Sequence, residues 1–165
     1  MTNKQTFVGV DEDDKALGPI TEEECLNGTL HRSVTVVVFN DKNQIAIQKR
    51  AMSRKLYPGM YTLSATGHVD WTDNGPEDNE TAAKREFDEE LGKPAPKLEY
   101  KFTTHLNAPG HNIMSAVFTT TDNGPFNPDP KELESLTFLS TEEIEKKADK
   151  FTPTAKLNLQ KLGII

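Results

Sequence analysis

From Gly67 to Gly92 the chain reads GHVDWTDNGPEDNETAAKREFDEELG. Near its end it packs four acids into positions 86–90, and it stops at a glycine. At about 3.6 residues per turn, Glu86, Glu89 and Glu90 stand at i, i+3 and i+4, so a helix here crowds their carboxylates on one face. Like charges at that spacing repel. Ala83, Phe87 and Leu91 recur every fourth residue and give the other face an apolar stripe for burial. Gly92 falls where a left-handed residue ends a helix. An acidic run by itself is ordinarily a solvated helix face. With an apolar side to anchor them, these acids predict a site for a hard divalent cation, Mg²⁺ or Mn²⁺, whose charge offsets the repulsion.

With Glu77 eight residues before Arg85, the stretch resembles the Nudix box, Gly-x5-Glu-x7-Arg-Glu-U-x-Glu-Glu-x-Gly-U, where U is a bulky aliphatic residue. Glu77, Arg85, Glu86, Phe87, Glu89, Glu90 and Gly92 match in register. Two positions depart. Counting back from Glu77 puts the box glycine on Trp71, so Gly67 implies a loop four residues longer, and Lys93 replaces the final aliphatic. The resemblance implies that Glu86, Glu89 and Glu90 are catalytic and hold the metal, with the Gly67 carbonyl as a further ligand. Arg85 and Glu77 are expected to form a structural ion pair.

Upstream, Ser33–Phe39 (SVTVVVF) and Gln44–Gln48 (QIAIQ) flank Asn40–Asn43, a hairpin signal. The uninterrupted valines predict a strand covered on both faces. Lys49–Lys55 holds four basic residues in seven, beside a Pro-Gly turn at Tyr57–Met60. Arg50, Arg54 and Lys55 are candidate diphosphate contacts, because a guanidinium fork matches phosphate oxygens in a bidentate way. The alternative is a solvated basic loop. Tyr61–Ala65 reads as a strand leading into Thr66-Gly67-His68. Nearer the N-terminus, Thr6–Val10 reads as a strand and residues 11–19 as a polar turn. Thr21 with Glu24 has capping-box spacing and starts a short helix through Cys25, which reads as a packed thiol.

Downstream, Pro94 and Pro96 stop the helix. Leu98–Thr104 and Asn112–Thr120 read as strands joined by HLNAPGH, residues 123–130 as a rigid loop, and Leu136–Leu139 as a strand. Glu132, just past the loop, is a candidate extra metal ligand or a surface acid. Ser140 with Glu143 makes a second capping box, and Thr152-Pro153 starts the last helix. Mixed strands with about three helices predict an α/β fold, an α/β/α sandwich on a mixed β-sheet, in one domain over residues 1–165. The Nudix fold has the same architecture.

The 165 residues suffice for a real core, with 35% hydrophobic and 27% charged residues. No apolar run approaches the roughly 20 residues of a membrane span, and MTNKQTF has no apolar signal region. Cys25 is the only cysteine, which excludes an internal disulfide and fits a reducing cytoplasm. A net charge of −7 without a long basic run argues against a nucleic-acid partner. The expected partner is a small-molecule diphosphate, bound by a monomer or homodimer.

The region from Leu30 through His68, with FNDKNQIAIQKRAMSRKLYPGMYTLSATGH at its centre, also resembles type I isopentenyl-diphosphate isomerase, itself a Nudix-fold enzyme. In that enzyme a cysteine before the Gly-His pair serves the allylic proton transfer, with a glutamate partner on a later strand. Those positions are Thr66 and Ile113 here, and threonine is a poor acid or base near neutral pH. His31, His68 and His111 fall at or near the isomerase's metal-ligand positions, the others being Glu24 and Ile113. They read either as a second, histidine-rich metal site or as packed and surface residues. The layout is most similar to a bacterial branch of Nudix hydrolases that share the isomerase-like N-terminal half and a DxFTP motif, here Asp149–Pro153. The resemblance therefore implies metal-dependent hydrolysis of a diphosphate linkage in a nucleoside diphosphate derivative or related conjugate. The alternatives are isomerase activity and a non-catalytic nucleotide-binding module.

Overall fold

The valine-rich strand His31–Phe39 is the axis of the molecule. The computed structural model describes residues 4–165, so the first three residues of the N-terminal stretch read above lie outside it. The elements run β1 (Phe7–Val10), β2 (Ala16–Ile20), α1 (Glu22–Leu26), β3 (His31–Phe39), β4 (Ile45–Arg50), β5 (Tyr61–Thr62), β6 (Ala65–His68), β7 (Trp71–Thr72), β8 (Gly75–Pro76), α2 (Asn79–Leu91), β9 (Glu99–Ala108), β10 (His111–Thr121), β11 (Leu133–Leu139), α3 (Thr141–Lys146) and α4 (Pro153–Lys161). β10 runs parallel to β3 along its whole length, from Ile113 opposite His31 to Thr121 opposite Phe39. The other pairings are antiparallel, so the nine-stranded sheet is mixed.

Alternation along β3 divides the core between two faces. Val34, Val36 and Val38 pack with Ala82, Ala83, Phe87 and Leu91 of α2. Val37 joins Ile45, Ile47 and Leu63 with Ile144 of α3 and Ala155 and Leu159 of α4. The expected double coverage and the α/β/α sandwich with a mixed sheet are both present.

The expected hairpin of β3 and β4 is formed only next to its turn, where Phe39 pairs with Ile45. Further along, the segment Tyr61–His68 enters between them as a wedge. β5 pairs with β4, and β6 with β3. Between β5 and β6, the buried Ser64 hydroxyl accepts from the Val38 N–H at 2.8 Å and donates to the Ala46 carbonyl at 2.7 Å. The hydroxyl thus satisfies backbone groups that a continuous ladder would have paired. The wedged segment supplies Thr62, Thr66, Gly67 and His68 to the site described below.

Three other details differ from the sequence reading. The polar turn contains a strand, β2, which pairs with β1 on an exposed edge. β9 and β10 extend through most of HLNAPGH and turn at Pro109-Gly110, where Gly110 has φ +70°. The four extra residues before Glu77 are absorbed by the β7–β8 ribbon, in which Trp71 pairs with Pro76 and Thr72 with Gly75. At its base the Glu77 N–H donates to the Asp70 carbonyl and the Asp70 N–H donates to Glu77 Oε1. Lys93 takes the aliphatic position by pairing with Asp122 at 2.9 Å and lying over the Phe126 ring.

Candidate active site

α2 runs as its acids and apolar stripe predict, from N-cap Asp78 to Gly92 in the left-handed region at φ +72°. Its acidic face, however, lies largely against the protein. Glu90 is 3% exposed and accepts from the Thr66 N–H at 2.8 Å. Glu86 lies against Gly67, where an added Cβ would stand 2.1 Å from the Glu86 carboxyl carbon. Glu89 points outward and approaches Arg85 at 3.4 Å. The ligand atoms of all three acids are therefore not gathered at one point. Gly67 has an ordinary backbone, and its carbonyl accepts from Ser33 Oγ at 2.9 Å.

Arg85 organises the base of the β7–β8 ribbon. It donates to both Glu77 oxygens, to Glu86, and to the His68 carbonyl at 3.0 Å. The expected Glu77–Arg85 pair is thus present, and it ties the ribbon's base to α2.

Both inward-facing acids are shifted towards their protonated forms. Burial pushes Glu86 up to about 8, against the opposing pull of Arg85. Burial and the neighbouring Glu86 raise Glu90 well above the usual carboxylate range. Carboxylates in this state are poised to exchange protons for a cation.

Glu86, Glu89, Gly67 and Arg85 line one cavity of about 500 Å³, together with Arg50, Arg54, Lys55 and Glu132 from the loops beyond β4 and before β11, while Glu90 lies buried behind it. Arg50 donates from Nε to the Leu56 carbonyl at 3.0 Å, and burial with Arg54 nearby lowers it to about 10. Arg54 is paired with Glu132. Lys55 reaches Glu22 at 2.5 Å on the exposed rim.

His31, His68 and His111 also line the cavity. His31 and His68 rings are 5.0 Å apart, and Cys25 joins them with all three ligand atoms within 4.8 Å. His31 Nε2 is buried with no protein partner. His111 stands outside that group and faces Thr154 at 2.9 Å. Burial lowers His68 to about 3 and His111 to about 4, and raises Cys25 to about 12. Nothing in the spacing of Cys25 signals this meeting, because α1, β3 and β6 bring the three residues together only in space. Glu24 accepts its cap bond from Thr21 instead, and Ile113 is buried in register with His31.

The sequence model of the NUDIX domain matches residues 29–160. The chain belongs to the Nudix family. Isopentenyl-diphosphate delta-isomerase 2 of Homo sapiens is 31% identical over 162 residues, covering 86% of this chain and 71% of that protein. An uncharacterized Nudix hydrolase of Pseudomonas aeruginosa is 29% identical, with 86% and 82% covered. Among solved structures, the DR0079 protein of Deinococcus radiodurans superposes with a TM-score of 0.80 at 18% identity, covering 94% of this chain and 98% of that one, which speaks for the fold. In this Nudix chain the donors fit a divalent cation: Glu86 and the buried Glu90 repel one another near the end of α2, beside a glycine that leaves room for only the Glu86 side chain.

Proposed function

We propose that this Nudix chain hydrolyses a diphosphate linkage in a nucleoside diphosphate derivative or related diphosphate conjugate. The observation that carries the reading is Glu86, set against the fully buried Glu90, in a cavity that Arg50, Arg54 and Lys55 also line. In this reading Glu86, Glu89 and Glu90, with the Gly67 carbonyl, hold Mg²⁺ or Mn²⁺. The cation supplies charge neutralisation on the phosphate and lowers the pKa of an attacking water. Arg50, Arg54 and Lys55 orient the diphosphate. This local charge is needed because the chain's net charge of −7 repels an anion at long range. We treat residues 1–165 as one catalytic unit, working in the cytoplasm as a monomer or homodimer without nucleic-acid or membrane partners. Among the described residues no helix is long and apolar enough to cross a membrane.

The test is a hydrolysis screen over nucleoside triphosphates, ADP-ribose, dinucleotides and other diphosphate conjugates, with Mg²⁺ or Mn²⁺. Metal-dependent release of a monophosphate product is expected, and silence across the panel would refute the reading. Isopentenyl-diphosphate isomerisation is the second reading, favoured by the names of relatives such as the Homo sapiens protein. Thr66 and the buried, apolar Ile113 oppose it. Solvent deuterium entering isopentenyl diphosphate in an enzyme-dependent way would reverse the ranking. A non-catalytic nucleotide-binding module fits less well, since none of the box acids is lost.

A further inference from the structure

Arg54 meets a carboxylate brought from a distant element: its Nη1 donates to Glu132, 78 residues further along the chain. The other two cavity arginines are otherwise engaged, Arg50 at the Leu56 carbonyl and Arg85 in its cluster with Glu77 and Glu86. The backbone holds Glu132 from both sides. Its N–H donates to the Asp129 carbonyl at 3.0 Å, and the Asp129 N–H donates to the Glu90 carbonyl at 3.2 Å. Its own carbonyl accepts from the Ala51 N–H at 3.2 Å. One short turn thus joins the end of the acidic helix to the root of the basic loop. The Glu132 carboxylate lies close enough to Glu86 and Glu90 for its charge to favour their protonated forms.

Resting on the diphosphate reading above, we propose that Glu132 is a positioning residue that occupies Arg54 in the absence of a divalent cation and releases it when one arrives. In the metal-free cavity an incoming diphosphate meets several carboxylates, and the Arg54 charge is already neutralised. A doubly charged ion beside Glu86 and Glu90 attracts Glu132 more strongly than a singly charged guanidinium at the same separation. As Glu132 turns to the ion, the planar donor fork of Arg54 is freed for phosphate oxygens. The device enforces an order, with the cation first and the diphosphate second.

The experiment is calorimetric titration of inorganic diphosphate into metal-free protein in EDTA. Glu132→Gln is expected to bind it about ten-fold tighter than wild type, the worth of one charge-assisted hydrogen bond. The gain should vanish in the Arg54→Ala/Glu132→Gln double variant. It should be absent from Glu134→Gln, which removes one charge from an exposed acid paired with Lys49. A Glu132→Gln protein with wild-type affinity, a gain that survives loss of Arg54, or an equal gain in Glu134→Gln would overturn the proposal. Mn²⁺ alone, titrated after removal of the chelator, should bind Glu132→Gln several-fold more weakly. Equal Mn²⁺ affinity would overturn the cation half. Glu132 is partly exposed and its amide isostere keeps every backbone bond, so a thermal melt matching wild type is expected to accompany these readings. None of them uses turnover: a silent hydrolysis screen would sink the proposed reaction alone, and unchanged binding would sink this inference alone.

Discussion

Glu86 and Glu90 face a cost that only a proton or a cation relieves, and pH separates the two. Glu86 is pushed up to about 8 when folded, against roughly 4.3 for an unperturbed glutamate. An acid whose folded pKa is raised binds more protons folded than unfolded. Its favourable contribution is therefore complete below about pH 4 and is lost as pH rises towards 8. The histidines slope the opposite way, since His68 falls to about 3 and costs stability as pH drops below its unfolded value. The difference between variant and wild type isolates the acid. In chelator, the melting temperature of Glu86→Gln is expected to rise relative to wild type between pH 5 and pH 8, by scanning calorimetry. A pH-independent difference would contradict the assignment. Glu90→Gln keeps an acceptor for the Thr66 N–H but removes the charge. Turnover should fall by about 100-fold or more, above the range for residues that only support a ligand. Mg²⁺ should raise the melting temperature of this variant less than that of wild type, and equal shifts would exclude Glu90 as a ligand.

The β7–β8 ribbon and α2 act as one element through Arg85. Glu77, Asp70 and the His68 carbonyl converge on its guanidinium, so the ribbon's base is held while its tip only projects. Deleting residues 72–75 restores the box spacing between Gly67 and Glu77 and leaves that base in place. The shortened protein is expected to keep its metal-induced rise in melting temperature within error. A lost rise would make the ribbon part of the site.

At the scale of the whole molecule, the core layer on the α4 side supports the cavity from behind. Phe151 is 1% exposed and packs with Ile47, Leu63 and Leu159. The next residue, Thr152, donates its N–H to the Tyr61 carbonyl and caps α4, and Thr154 meets His111. Phe151→Ala should cost about 3–5 kcal/mol in urea denaturation, a large share of the roughly 5–15 kcal/mol of a typical domain. Because Thr152 and Thr154 line the cavity, substrate KM should worsen in the folded fraction as well. A variant with wild-type stability would show that this layer repacks freely.

The sequence by itself determined the features governed by short-range periodicity. The acids and apolar stripe of α2, its glycine stop, the Ser140–Glu143 box, the doubly covered valine strand and the mixed sandwich all follow from contacts a few residues apart or from alternation. The box residues were legible for the same reason, since seven of them keep fixed spacing on one helix and its lead-in. Only the tertiary structure decided that Ser64 would pry β3 from β4, that Glu90 would be buried against Thr66, and that Cys25 rather than His111 would join His31 and His68. It also decided that Arg54 would find Glu132. Cys25 and His31 are near in the chain but sit on different elements, and the other partners lie far apart, from 24 residues for Thr66 and Glu90 to 78 for Arg54 and Glu132, with no period to betray them. These contacts exist because burial in a shared core brings distant strands and loops together, and a buried polar group takes whichever partner that packing supplies.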